Sequence, residues 1–219
     1  MTQIVGIIQV KGGVGRSTIA TNLAAVFSEK KPTALIDCDL PQGTSASWYA
    51  VRKSEIAPAN LTLATARDYR ELVQRTKELA PRHRYIVIDA PPRIAEMTRA
   101  ITVMSTLCLV PLGASAAEIW STADLLKTIE AARSVRSDID VRIVWNRYRA
   151  RTREAGELSE AARNELGLQE LSTRLGYRVA YSEALARGLA VSEWLDGNAH
   201  AEIVALAAEV KGILKEVGK

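Results

Sequence analysis

Two cysteines in 219 residues, Cys38 and Cys108, are too few and too far apart for a disulfide framework or a metal cluster. Each sits in an apolar run, which predicts reduced core thiols of a cytoplasmic protein. No stretch of about 18 apolar residues is present, so no membrane-spanning helix is expected. The N-terminal run Ile4 to Val10 lacks the basic flank and small-residue cleavage site of an export signal, so the expectation is a soluble chain that is not exported. Internal repeats, low-complexity tracts and a polar linker are also missing, which predicts one domain over residues 1–219. Neither sign of charge dominates: 29 Lys and Arg face 25 Asp and Glu, a net +4 that permits contact with nucleic acid or anionic lipid without requiring it. What is present is enough apolar residue, 47%, to bury a core.

Short β-branched runs bounded by Gly, Pro or Asp read as strands at 4–10, 33–37, 85–89, 106–112 and 141–146. Segments with helical spacing alternate with them at 17–29, 68–79, 94–104 and 116–135. From Arg153 the pattern turns to helix, then a turn region around 176–181, then an amphipathic helix over about 199–217. Alternation of this kind predicts an α/β fold with a mostly parallel sheet. The runs 85–88 and 106–110 are apolar throughout, as in central strands covered by helices on both faces.

The segment Val10-Lys11-Gly12-Gly13-Val14-Gly15-Arg16-Ser17-Thr18 leaves the first strand and opens the first helix, the setting a phosphate-binding loop requires. Glycines let successive N–H groups converge on an anion, the helix terminus adds partial positive charge, and the Ser17 hydroxyl stands where a Mg²⁺ ligand is needed. The strict pattern G-x-x-x-x-G-K-[ST] is broken at two positions, by Val10 for the first Gly and Arg16 for the Lys. Two acidic positions end strands, Asp37 with Asp39 after the second and Asp89 after the run 85–88, where ligands of open α/β sheets bind.

Lys-Gly-Gly-Val-Gly-x-Ser-Thr, with its early Lys11, resembles the deviant Walker A loop of the ParA/MinD family of dimeric P-loop ATPases. The resemblance implies a single-domain P-loop NTPase fold, ATP and Mg²⁺ as cofactors, and hydrolysis of ATP to ADP and phosphate. It implies that residues 11–18 bind the nucleotide and that Lys11 reaches across a nucleotide-sandwich homodimer to the partner's phosphates. Asp37-Cys38-Asp39-Leu40-Pro41-Gln42-Gly43 resembles the family's Asp-x-Asp-Pro-Gln, so Asp39 would position the attacking water and Asp37 would lie near the metal's water shell. Leu40 is an extra residue in that motif and leaves the aim of Asp39 open. Asp89 in Ile88-Asp89-Ala90-Pro91-Pro92 resembles the Walker B aspartate, which holds Mg²⁺ through water. Catalysis would then fall to Lys11, Arg16 and Asp39, the metal to Ser17, Asp37 and Asp89, and the rate would be slow because Arg16 replaces the usual lysine.

Asn146 ends the strand 141–145; its amide suits an adenine edge, and a turn-forming Asn is the other reading. Arg147, Arg149, Arg151 and Arg153 alternate with other residues, so an extended segment would put four guanidinium groups on one side. Family members that partition plasmids bind DNA without sequence preference through basic C-terminal surfaces, and these arginines are the candidates; a solvated charged face is the alternative. The implied role is positioning of a plasmid, chromosome or other cargo in a bacterial or archaeal cytoplasm, nucleoid-associated, with a stimulating partner protein. A MinD-like regulator at a membrane surface is the second reading and a dethiobiotin-synthetase-like ligase a third. The last helix carries an apolar stripe, Ile203, Val204, Leu206, Val210, Ile213, Leu214 and Val217, but no large aromatics, and Glu202, Glu209 and Glu216 offset its lysines. That balance favours core packing over a membrane.

Overall fold

The computed structural model describes residues 1–40, 42–57, 59–113, 115–149 and 153–217. Seven parallel strands run in the order β3-β2-β4-β1-β5-β6-β7, with β1 Gln3–Ile7, β2 Thr33–Asp37, β3 Leu61–Thr65, β4 Tyr85–Asp89, β5 Leu107–Gly113, β6 Asp140–Tyr148 and β7 Gln169–Gly176. The helices are α1 Arg16–Ser28, α2 Thr44–Glu55, α3 Tyr69–Leu79, α4 Ala95–Met104, α5 Ala116–Arg133, α6 Arg153–Leu166, α7 Ala180–Ala186 and α8 Gly197–Val217. The expected α/β architecture with a parallel sheet between helical layers is what forms. Four elements were not legible in the hydrophobic pattern: α2, β3, β7 and α7.

Alternation along the central strands divides the core. Val5, Ile7, Tyr85 and Val87 point to one face and pack with α1 and α8; Ile8, Ile86 and Ile88 point to the other with α3, α4, α5 and α6. The α8 stripe lies inside the first layer, with Ile203, Leu206, Val210, Ile213 and Leu214 buried. At roughly 1.5–3 kcal/mol for each buried aliphatic side chain, that packing is a strong reason for α8 to stay on the sheet. Val204 and Val217 of the same stripe are 41% and 44% exposed. Among the described residues no helix is long and apolar enough to cross a membrane.

β1 sits between β4 and β5, so the chain leaves it toward one half of the sheet and later crosses behind it into the other. That reversal opens a crevice at the carboxyl ends of β1 and its neighbours, the place where open α/β sheets bind ligands. The register sets Ile7, Asp89 and Asp37 side by side across β1, β4 and β2, which brings both strand-end carboxylates to the crevice.

Candidate functional site

The glycine-rich loop joins β1 to α1 with Gly13 and Gly15 at φ of 74° and 94°, values that side chains other than glycine rarely adopt. Apart from their chain neighbours, no described residue comes within 4 Å of the Cβ positions of Gly12 and Gly13, so an anion could come up against the backbone there. Gly15 faces the opposite demand: a Cβ would run into the amide of Asn146. Gly15 also caps α1 without a side chain, and the first turn of α1 holds no acid, so its N–H groups are open to an anionic ligand.

Arg16 turns inward. Its Nε donates to the Ala90 carbonyl at 2.9 Å, and one terminal nitrogen donates to the carbonyls of Gln9 and Lys11 at 2.7 and 2.5 Å. Its other terminal nitrogen is 3.9 Å from Asp39. The guanidinium thus ties the loop to the end of β4 from beneath. Burial pulls its pKa below the usual arginine range, and the charges of Asp89 and Asp39 oppose the fall.

The three strand-end carboxylates differ in what they touch. Asp37 is fully buried and both oxygens are engaged, Oδ1 by the Asp39 amide at 2.9 Å and Oδ2 by the Ala46 amide at 2.8 Å. Its carboxylate holds the turn after β2 and the first turn of α2. Asp89 is 1% exposed; Oδ2 accepts the Ser45 hydroxyl at 2.7 Å and Oδ1 has no hydrogen-bond partner. Burial pushes its pKa up to about 7, against the opposing influence of the Ser17 and Ser45 hydroxyls. Asp39 is raised by burial too, with Arg16 opposing and Asp37 reinforcing. The orphaned buried oxygen of Asp89, a carboxyl on which the Ser17 hydroxyl also acts, fits a Mg²⁺ ion with its water shell, because a hard cation would supply the missing partner.

Lys11 stands half-exposed at the mouth, its Nζ 3.8 Å from Glu118 Oε1 at the start of α5. Glu118 also accepts the Gly113 amide at 2.5 Å, which fixes the end of β5. Ser115-x-x-Glu118 is a helix-start signature that the sequence carries, yet the contact with Lys11 depends on the fold.

Asn146, 6% exposed, donates from Nδ2 to the Val14 carbonyl at 2.8 Å, and its Oδ1 accepts the Arg147 amide at 3.0 Å. It therefore braces the loop and borders a recess of about 360 Å³ lined by Gly15, Thr18, Tyr177, Val179, Tyr181 and Leu185. A second cleft, of about 400 Å³, is lined by Gly12, Gly13, Arg16, Ser17, Asp39, Gln42 and Thr44. Gly15, Thr18 and Arg147 border both, so the two are adjacent. The second is lined by loop glycines and hydroxyls, whereas the first has aromatic and aliphatic walls with an amide at its edge.

The basic segment after β6 departs from the extended ribbon expected of it. The strand ends at Tyr148, Arg147 adopts φ of 54°, and Arg153 already belongs to α6, so among the described residues strand alternation does not run from Arg147 to Arg153. Arg147 lines both clefts and Arg149 lies over the Tyr177 ring at 5.2 Å, while Arg151 falls outside the described residues. Other basic residues of the C-terminal third have internal partners: Arg163 with Glu170, Arg178 with Glu202, and Arg187 over Trp194. Sequence reasoning missed Ser45, Gln42, Thr44 and Glu118 as site residues; Gln42 was visible in the acidic motif, and the others gain their meaning from distant strands.

The family model for the CobQ/CobB/MinD/ParA nucleotide binding domain matches residues 5–191. The chain is 31% identical over 200 residues to the maintenance of carboxysome distribution protein A of Gloeobacter kilaueensis, covering 90% of this chain and 87% of that one. It is 27% identical over 218 residues to the chromosome-partitioning ATPase Soj of Thermus thermophilus, covering 84% of each. Among solved structures, apo McdA of Cyanothece gives a TM-score of 0.78 at 17% identity over 100% of both chains. MinD of Pyrococcus horikoshii in complex with Mg-ADP gives 0.75 at 18% identity over 96% of each. At those identities the structural likeness speaks to the fold.

Proposed function

Because the chain belongs to the CobQ/CobB/MinD/ParA nucleotide-binding family, we propose that it is a ParA-like partition or positioning ATPase that dimerises on ATP, binds DNA without sequence preference and moves a cargo through a partner protein that stimulates hydrolysis. The observation that carries this reading is the loop with Lys11 at its mouth, set against the orphaned oxygen of Asp89 and Asp39 beside Arg16. The names of the relatives, one in carboxysome distribution and one in chromosome partitioning, support the positioning role.

In this reading the N–H groups of residues 12–18 cradle the phosphates, Arg16 fixes the loop beneath them, and the Asn146 recess takes the adenine. Ser17 and Asp89 would hold Mg²⁺, whose chemistry is to neutralise charge on the β and γ phosphates. Asp39, at the open side of the same cleft, orients water toward the terminal phosphate. Lys11 leaves Glu118 and neutralises the phosphates of a second subunit. The membrane-surface reading is not favoured, since Ile203, Leu206, Val210, Ile213 and Leu214 of the α8 stripe are committed to the core.

The test is retention on DNA of unrelated sequences with ATP or ADP across a salt series. ATP-dependent binding is expected, its logarithm falling with log salt by about 0.9 for each phosphate neutralised. Replacing Arg149, Arg151 and Arg153 with Ala should flatten the slope, whereas Arg147 is kept because it borders the nucleotide cleft. Equal binding with ADP, or binding to one sequence only, would overturn the proposal.

A further inference from the structure

We propose that Ser45 is a positioning residue for Asp89, and that through it the start of α2 sets how this carboxylate is presented to Mg²⁺. The inference rests on the nucleotide-site reading above. A serine in the first turn of a helix ordinarily serves its own helix, accepting from a nearby backbone N–H or turning to water. In α2 that task is taken by others: the N-cap is Gly43, with no side chain to offer, and Asp37 accepts the Ala46 amide. Ser45 is therefore released from local duty. It is 0% exposed, and its hydroxyl donates instead to Asp89 Oδ2, 44 residues away in sequence, at 2.7 Å.

The consequence for Asp89 is orientational. A carboxylate with one oxygen held and the other without a partner cannot exchange its two oxygens without breaking the Ser45 bond. Oδ1 is left as the acceptor without a hydrogen-bond partner. Groups that orient a metal-facing carboxylate in this way tune its affinity without touching the ion. The geometry also links the cleft to the carboxylate. The segment leading into α2 places Asp39, Gln42 and Thr44 on the wall of the phosphate cleft, so a shift of that wall is passed through Ser45 to Asp89.

The test titrates Mg²⁺ into the full-length chain holding a fluorescent ADP analogue, with a parallel series in EDTA. For Ser45→Ala, affinity in EDTA should stay within about twofold of the parent while the Mg²⁺ concentration for half-maximal tightening rises about tenfold. Ser45→Cys, which keeps the volume and offers a much weaker donor, should raise it as well, and it stands in if the alanine variant fails to fold. In an Asp89→Asn background, Ser45→Ala should add nothing further. An unchanged Mg²⁺ midpoint in the serine variants overturns the inference. Equal loss of affinity in EDTA and Mg²⁺ does so too, because it assigns Ser45 a purely structural part. Failure of the parent to bind the nucleotide in either series is a different result: it removes the nucleotide-site reading itself and the inference with it.

Discussion

Arg16 is the residue at which this loop departs most from the strict phosphate-loop pattern, and the fold gives the substitution a definite job. Three carbonyls hold its guanidinium in a buried position, a task that uses the planar fork of arginine in a way a lysine ammonium could not reproduce. Under the proposed function the same anchoring would make it less able than a compact ammonium to follow charge developing on a transferred phosphoryl group. Arg16→Lys is therefore expected to leave ATP affinity nearly unchanged and to raise single-turnover hydrolysis by about 10²-fold to 10³-fold, the usual worth of one well-placed electrostatic contact. A rate unchanged by the reversion would detach Arg16 from the chemistry. The loop and the strand-end acids were legible in sequence because loop, strand end and helix start are contiguous there. Ser45 and Glu118 were not, since their partners, Asp89 and Lys11, are brought to them by the sheet.

At the scale of elements, α2 shows why parts of the fold escaped the hydrophobic pattern. Its buried positions are Ser45, Trp48 and Arg52, a helical spacing carried by one aromatic and two polar residues, so no apolar stripe announces it. The edge strand β3 is only partly buried, and β7 sets Glu170 and Arg174 next to its buried leucines, Leu171 and Leu175, with irregular pairing to β6. The central strands β2, β4 and β5, buried along their whole length, were the easiest to read. Contacts along its length hold α2 to the base side of the site: Trp48 Nε1 donates to the Leu189 carbonyl at 3.0 Å, and Arg52 pairs with Glu193 at 2.7 Å and donates to the Gly188 carbonyl at 3.0 Å. Gly188, at φ of 68°, lets the chain lie directly against the α2 backbone at Arg52, where a Cβ would clash. Arg52→Ala would leave Glu193 half-buried without its cation, and should cost about 2–4 kcal/mol of unfolding free energy, measured by urea denaturation without nucleotide. A loss below about 0.5 kcal/mol would class the pair with ordinary surface bridges and remove this anchor from the account.

Over the whole molecule, the reversal of strand order about β1 decides where chemistry can happen, and every group assigned to the nucleotide lies at that one end of the sheet. Lys11 is the exception in its aim. In a single chain it stands 3.8 Å from Glu118 at the rim of its own loop, and under the proposed function it would serve the phosphates of a second subunit. The proposed function therefore depends on nucleotide-driven dimerisation. Sedimentation velocity of the parent and of Lys11→Ala, each without nucleotide, with ADP and Mg²⁺, and with ATP and Mg²⁺, tests it most directly. The parent should be a monomer in the first two conditions and a dimer in the third, and Lys11→Ala should remain a monomer in all three. A parent whose association ignores the nucleotide, or a Lys11→Ala variant that dimerises on ATP as the parent does, would contradict it.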